Sequence, residues 1–474
     1  MPERRLWQEN FSEWFAEMLE RAEIVDPRYP VKGLYVWLPY GFRIRSHVIS
    51  LLRSLMDESG HSEMLFPVLI PESFFRKEAE HIRGFEDQVY WVTQGGREPL
   101  DVRLVLRPTS ETAMYPMFSL WIKSHADLPL KVYQIVSVFR YETKMTKPLI
   151  RVREVTTFKE AHTAHATWED AERQIREAIG IYRRFFDTLG IPYVISRRPA
   201  WDTFAGAVYS VAFDTLAPDG RTLQIGTIHN LGQNFAKVYD VRYEKPDGSH
   251  EYVYQTCYGM SERVIAAVLM VHGDDIGFCL PPVVAPIQVV IVPVPFKEEG
   301  EAVGKAAVEI LEILRSAGLR VHLDDRDLRP GNKYYYWERR GVPLRIEVGP
   351  SETRERKATL VRRDTGERRT VDLTDLAGEI RRTLEEISES LKKRAADFFA
   401  SRMHDAKSVR EAAELLAGGW IVRLSWCGSQ ECGLAIEEET GGRLLGESLS
   451  EERDGFCVRC GAGTRRVAYL AKTY

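Results

Sequence analysis

Near the N-terminus, Trp7, Phe11, Trp14, Phe15, Met18 and Leu19 recur at intervals of three and four residues, the spacing that lines one face of a helix. From Val132 to Phe139 the period changes. Val132, Gln134, Val136 and Val138 alternate with Tyr133, Ile135, Ser137 and Phe139, which reads as a strand ending at Arg140. Trp168 to Leu189 returns to helical spacing, and Val264 to Val271 is a continuous apolar run behind Gly259-Met-Ser261-Glu-Arg263. A bilayer takes about 20 apolar residues to cross, so that run is too short to span one. After Leu280-Pro281-Pro282 the pattern changes again. Ile287 to Val294 reads as a buried strand, and a helix carrying Ala302, Val303, Ala306, Ile310, Leu311 and Leu314 stops at Gly318, before the alternation of Leu319, Val321 and Leu323. This β-α-β opening continues into strands at Leu344-Arg-Ile346-Glu-Val348, Ala358 to Val361 and Thr370 to Leu373. Glu385 to Ala417 is highly charged with helical apolar spacing, suited to bridging two units, and no repeat or low-complexity linker appears.

These shifts divide the chain into units 1–284, 285–384 and 385–474. With 474 residues and 44% apolar content each can hold a core. The formal net charge of -4 excludes a global basic field, so any nucleic-acid surface must be a local patch. Arg354, Arg356, Lys357, Arg362, Arg363, Arg368 and Arg369 form such a patch, although a run of this kind also suits a solvated face. The N-terminus has no cationic flank followed by a secretory apolar core, so a soluble cytoplasmic protein is expected.

Four of the six cysteines pair as Cys427-x4-Cys432 and Cys457-x2-Cys460. Thiolates at these spacings suit a tetrahedral structural zinc with no open position, and two disulfides are the alternative. Cys257 and Cys279 stand alone in apolar surroundings and read as reduced packing residues, although Cys257 lies close in sequence to the Gly259–Arg263 segment that is a candidate for the pocket.

The densest chemistry lies at Phe139-Arg140-Tyr-Glu142, Arg151-Val-Arg153-Glu154 and Phe158-Lys-Glu160-Ala-His162. Guanidinium stays charged and forks onto two phosphate or carboxylate oxygens, and Glu142 can accept from an adenine amine or orient a second arginine. An ion-paired strand end would account for an isolated Arg-x-Glu equally well. Downstream, Gly259 permits close approach of a ligand, and Arg263 opens an apolar helix where an anion would offset its burial. Arg140 and Arg263 can therefore flank one triphosphate.

Together with Gly33 through Pro39 and Phe66-Pro67-Val68, these three ordered segments resemble the motifs of class II aminoacyl-tRNA synthetases. Arg107-Pro-Thr109-Ser-Glu111-Thr112, Glu160-Ala-His162-Thr-Ala-His165 and Gln224-Ile-Gly-Thr227-Ile-His229-Asn-Leu-Gly-Gln233 narrow the likeness to the prolyl-tRNA synthetase family of archaeal and eukaryotic type, over essentially the whole chain. The resemblance implies an α+β catalytic domain on an antiparallel sheet, an α/β anticodon-binding domain and a small α+β zinc-binding C-terminal domain. It implies a proline site of Thr109, Glu111, Arg140, Glu160, His162, His229 and Ser261, with Phe85 or Phe158 facing the ring, and an ATP site of Arg140, Glu142, Arg151, Gln224, Thr227 and Arg263. Each histidine taken alone would suit a hydrogen-bonded core position as well. Arg140 is the expected α-phosphate clamp and Arg263 the clamp nearer the leaving phosphates, working with the Mg²⁺ that accompanies ATP.

The implied partners are ATP, L-proline and tRNA(Pro), in a homodimer with Pro67 near the interface. Many bacterial members carry an editing domain between the second and third motifs. Here the segment from Arg140 to Gly259 holds pocket elements and ordinary helices, so no internal editing site is expected. The family's C-terminal tyrosine leads to the expectation that Tyr474 packs beside the substrate pocket. Another class II synthetase, for threonine or glycine, and a non-catalytic tRNA-binding paralogue are the competing readings.

Overall fold

The computed structural model describes residues 2–79, 88–296 and 299–474. Its centre is a sheet in which strands Val194–Arg197, Tyr209–Leu216, Arg221–Gly232, Tyr254–Ser261, Glu154–His165 and Leu130–Phe139 lie side by side in that order, each pair antiparallel. Helices Pro39–Glu58, Trp168–Leu189 and Arg263–His272 contribute to the core on one face, where Tyr182, Phe185 and Phe186 pack with Phe213, Ile228 and Tyr258. Burial of one such aromatic ring contributes roughly 1.5–3 kcal/mol. The N-terminal helical stripe splits at Asn10 into Arg5–Glu9 and Phe11–Arg21, and all six of its apolar residues enter this core.

The alternating segment at Val132–Phe139 is a strand, yet side chains pointing both ways are buried. Tyr133 joins the helical layer, while Val132 packs with Met114 and Phe118 of helix Glu111–Trp121 on the opposite face. Alternation here separates two unlike interiors rather than a core from water.

A second, five-stranded sheet has the order Val321–Leu323, Val289–Pro293, Leu344–Val348, Lys357–Arg362, Arg368–Asp372, parallel across the first three strands and antiparallel beyond. Helices Gly300–Ser316 and Leu376–Ser401 share its core, and Gly318, at φ +78°, provides the left-handed turn after the first. The stretch expected to bridge the last two units is divided among the end of Leu376–Ser401, strand Met403–Asp405 and helix Val409–Ala417.

The C-terminal segment extends the catalytic sheet. Strand Arg443–Phe456 pairs with Val194–Arg197, placing Glu447 opposite Arg197, and Gly463–Thr473 also runs parallel to Arg221–Gly232, with Arg221 opposite Lys472. One eleven-stranded sheet results, and the catalytic edge is covered rather than open.

The seven-residue basic patch does not form a free cationic face. Arg354 pairs with Glu299, Arg356 with Glu309, Lys357 with Glu355, Arg362 with Asp364 and Glu386, Arg368 with Glu347, and Arg369 with Glu367. Arg363 is buried and forks onto Asp274 with two 2.7 Å hydrogen bonds, fastening the five-stranded unit to the end of helix Arg263–His272. Its guanidinium is therefore withdrawn from any tRNA surface. No helix among the described residues is long and apolar enough to cross a membrane.

Candidate active site

Strand register builds the site. Across three neighbouring strands His229, Cys257 and His162 stand opposite one another, and two positions along, Thr227, Gly259 and Glu160 form the next row. The two-residue period keeps these residues on one face, which forms the floor of a cavity of about 510 Å³. Thr109, Glu111, Arg140, Glu142, Arg151, Glu160, His162, Gln224, Thr227, His229, Ser261 and Arg263 all line it, so these twelve residues expected for the amino-acid and ATP sites meet in one place.

One end is rich in carboxylate. Thr109 donates to Glu111 at 2.5 Å, while Glu160 accepts from the Ser110 hydroxyl, the Ser110 amide at 3.2 Å and Gln134 at 2.9 Å. Burial pushes the Glu160 pKa up, but hydrogen bonding and charge from His162, with bonds from Ser110 and Gln134, hold it below the usual carboxylate value. His162 has Nε2 3.5 Å from Glu160 and Nδ1 2.9 Å from the Tyr115 hydroxyl. His229 is pushed down to about 3 by burial, with His162 and Arg198 adding repulsion; its Nδ1 lies 2.7 Å from Ser210 Oγ. A neutral imidazole beside buried carboxylates leaves this end able to receive an ammonium group.

Arginines converge at the other end. Arg140 is anchored by the Pro108 carbonyl at 3.2 Å and lies 5.5 Å from the centre of the Phe158 ring, while Arg263 donates to the Ile150 carbonyl at 2.9 Å. Arg263 is pushed down to about 10, first by burial and then by repulsion from Arg140 and Arg151. It remains charged at neutral pH, so three cations face one cavity. The nearby carboxylates do not neutralise them: Glu142 reaches Arg151 at 3.9 Å and also caps the Lys144 amide. A polyanion would complete this arrangement.

Several lining residues escape sequence reasoning. Arg198 is buried and ties Gln224 and Asp214, both at 2.9 Å, to the Leu445 carbonyl at 2.7 Å, so the C-terminal segment helps hold Gln224 at the cavity wall. Phe204 packs on His229 with centroids 4.8 Å apart. Glu262 is buried, accepts from Tyr35 at 2.5 Å and from Thr156 at 2.6 and 2.8 Å, and is pushed up to about 7 by burial. Of the two rings considered for the amino-acid side chain, Phe158 lines the cavity and Phe85 lies outside the described residues. Tyr474 is not among the lining residues but packs behind two segments that are. Its hydroxyl donates to Asp219 at 2.7 Å and its ring lies 5.1 Å from Lys147, whose backbone is bonded to Arg151 in both directions. The residue supports the loop from behind because the strand ends at Thr473, against Thr222.

Cys427, Cys432, Cys457 and Cys460 converge with their sulfurs within 4.8 Å of one another. Cys427 and Cys460 sulfurs are 3.9 Å apart, close to the ~3.8 Å edge of a tetrahedron with 2.3 Å Zn–S bonds. The four thiols can hold zinc as a closed site that joins the hairpin Arg443–Thr473 to helix Gln430–Thr440.

The antiparallel sheet, its arginines and its opening into a single cavity define a class II aminoacyl-tRNA synthetase core. Residues 90–272 match the family described as tRNA synthetase class II core domain (G, H, P, S and T), residues 288–383 an anticodon binding domain, and residues 409–474 the C-terminal domain of prolyl-tRNA synthetase. The proline–tRNA ligase of Thermococcus kodakarensis is 56% identical across 100% of this chain and 99% of its own, and that of Methanopyrus kandleri is 57% identical across 98% and 96%. The structure of Giardia lamblia prolyl-tRNA synthetase in complex with prolyl-adenylate superposes with a TM-score of 0.96 at 38% identity, covering 100% of this chain and 99% of the other. The chain belongs to the proline–tRNA ligase family.

Proposed function

We propose that this protein activates L-proline with ATP to give prolyl-adenylate and pyrophosphate, then transfers the prolyl group to a terminal ribose hydroxyl of tRNA(Pro). The observation that carries this reading is the shared cavity, with Glu111, Glu160 and His162 at one end and Arg140, Arg151 and Arg263 at the other. The proline ammonium would meet Glu111 and Thr109, and the ring would lie among Phe158, His162 and His229. ATP would extend past Glu142, Gln224 and Thr227. Neither step needs a protein nucleophile. Holding the carboxylate in line with the α-phosphate supplies much of the rate, and fixed cations stabilise charge growing on the phosphates. Arg140, whose charge interacts with both Glu111 and Glu160, is assigned to the α-phosphate; Arg263, held by the Ile150 carbonyl next to Arg151, is assigned to the leaving pyrophosphate with its Mg²⁺.

The further parts of the reading rest on separate observations. Functional units at 1–284, 285–384 and 385–474 are favoured by the separate five-stranded sheet of the middle unit, while strands of the third unit join the first unit's sheet and helix Leu376–Ser401 crosses the last boundary. A homodimer around Pro67 is favoured by the exposed apolar side chains of Val36, Phe42, Leu65, Val68 and Leu69 on and beside the first motif. Structural zinc is favoured by the convergence of the four cysteines, and a cytoplasmic location by the role in translation. Between Arg140 and Gly259 the described chain is spent on sheet strands, helix Trp168–Leu189 and short connections, which supports activation without an internal editing site. Pyrophosphate exchange with each of the twenty amino acids is the test. Dominant exchange with proline is expected; dominant exchange with threonine or glycine, or none with any, would refute the reading.

A further inference from the structure

The floor of the cavity carries a thiol that the proposed adenylate chemistry leaves without a role. Cys257 is paired in register with His162 on one side and His229 on the other, and Glu111 reaches the same spot from the start of its helix. Ligand atoms of Glu111, His162 and Cys257 all lie within 4.8 Å of one another, and all three residues are buried. Two atoms on one zinc ion are separated by at most about 4.0–4.6 Å, the sum of two coordination bonds, so only small movements would bring this trio onto one ion. Tyr115, 2.9 Å from His162 Nδ1, can accept that proton and turn the Nε2 lone pair toward the cavity, the type of outer contact that orients ligating imidazoles. Thr109 holds Glu111 by one carboxylate oxygen and leaves the other available. Glu160, with Nε2 of His162 at 3.5 Å from its Oε2, adds negative charge opposite Arg140. His229 stands apart, its Nδ1 engaged with Ser210.

We propose that Glu111, His162 and Cys257 form a second metal site, selective for thiophilic divalent cations such as Zn²⁺, Co²⁺ and Cd²⁺, whose occupancy excludes the amino-acid substrate. The donor set of one sulfur, one nitrogen and one oxygen is borderline-soft and leaves a fourth position open, unlike the closed four-cysteine cluster. The proton of the Cys257 thiol leaves to solvent as the metal–sulfur bond forms. Mutual exclusion with proline rests on the reading that Glu111 receives the proline ammonium; metal binding itself does not.

The test is equilibrium dialysis of the full-length protein against Zn²⁺, followed by metal analysis, with Co²⁺ used in parallel to read the thiolate-to-cobalt absorption. Two equivalents per chain are expected, with saturating proline removing one. In pyrophosphate exchange Zn²⁺ should raise the apparent KM for proline while leaving kcat unchanged. Cys257→Ser should weaken the second equivalent at least tenfold and retain the first, which also reports that the variant is folded. The wild-type proline competition provides a readout independent of any variant. A single equivalent, or a second one unaffected by Cys257→Ser, overturns the site. A second equivalent that depends on Cys257 and persists under proline concentrations that saturate exchange overturns the exclusion alone, whereas absence of proline-dependent exchange in zinc-free buffer containing Mg²⁺ would count against the synthetase reading instead.

Discussion

At the scale of single residues, the account depends on cations that are held in place before substrate arrives. Arg140 is fixed by a carbonyl and a ring, so little reorganisation is left for the moment of reaction. Replacing it with alanine should lower single-turnover prolyl-adenylate formation by about 10²–10³, the scale of removing one preorganised donor; unchanged chemistry at saturating substrates would remove its assigned role. Buried histidines contribute to acid sensitivity, His272 among them. His272 is fully buried, contacts the Leu189 carbonyl at 2.9 Å through Nε2, and is pushed down to about 3 by burial, with Arg394 and Arg4 adding repulsion. An unfolded histidine takes up its proton near pH 6.5 and the folded one does not, so between those values the unfolded chain binds more protons and stability falls as pH falls. The slope is about 1.4 kcal/mol per pH unit, or about 2 kcal/mol from pH 6.5 to 5. Urea unfolding of His272→Gln should show a pH dependence weakened by that amount, and an unaltered slope would assign the acid sensitivity elsewhere. The motif arginines, carboxylates and histidines were legible because each stands in a short local pattern. Arg198, Phe204 and Cys257 were not recognised as site residues, since their roles come from register with strands tens or hundreds of residues away.

At the scale of elements, helix Arg263–His272 connects two events. Its first residue lines the cavity beside Arg140 and Arg151, and just past its last residue Asp274 is locked by Arg363, the Cys279 thiol at 3.3 Å and the amides of Ile276 and Gly277 at 3.0 and 3.2 Å. Removing one member of a buried ion pair leaves the other charge stranded, at a cost of about 3–5 kcal/mol. Asp274→Ala should therefore lower the unfolding free energy on that scale, and a loss below about 1 kcal/mol in denaturant titration would mean that water reaches Arg363 readily. Periodicity revealed this helix and the strands of both sheets well. It could not reveal the pairing of Arg443–Phe456 with Val194–Arg197, because nothing local to either strand encodes its partner. With its ring against Lys147, deletion of Tyr474 should raise the KM for ATP several-fold through the Lys147–Arg151 turn and leave the KM for proline within about twofold; the opposite split would place its influence at the amino-acid end.

At the scale of the whole molecule, the first and third units share a continuous sheet, the middle unit is fastened to the first by the buried Arg363–Asp274 pair, and an apolar first-motif surface stays exposed. Leu65 is 80% exposed in a single chain and sits two residues from Pro67. Leu65→Asp should shift the protein from dimer to monomer in sedimentation velocity at micromolar concentration, and a monomeric wild type would dispense with the interface. Zinc removal should loosen the C-terminal hairpin before it affects the adenylate chemistry, because the four thiols leave no open position and lie outside the cavity lining. The central claim is that one cavity joins an amino acid at its carboxylate end to ATP at its arginine end. Rapid quench of the protein with proline and α-labelled ATP tests it most directly. The account predicts up to one enzyme-bound prolyl-adenylate per active site, formed only with proline present and chased into prolyl-tRNA when tRNA(Pro) is added. ATP turnover that is independent of proline, or an adenylate that cannot be chased into tRNA, would contradict it.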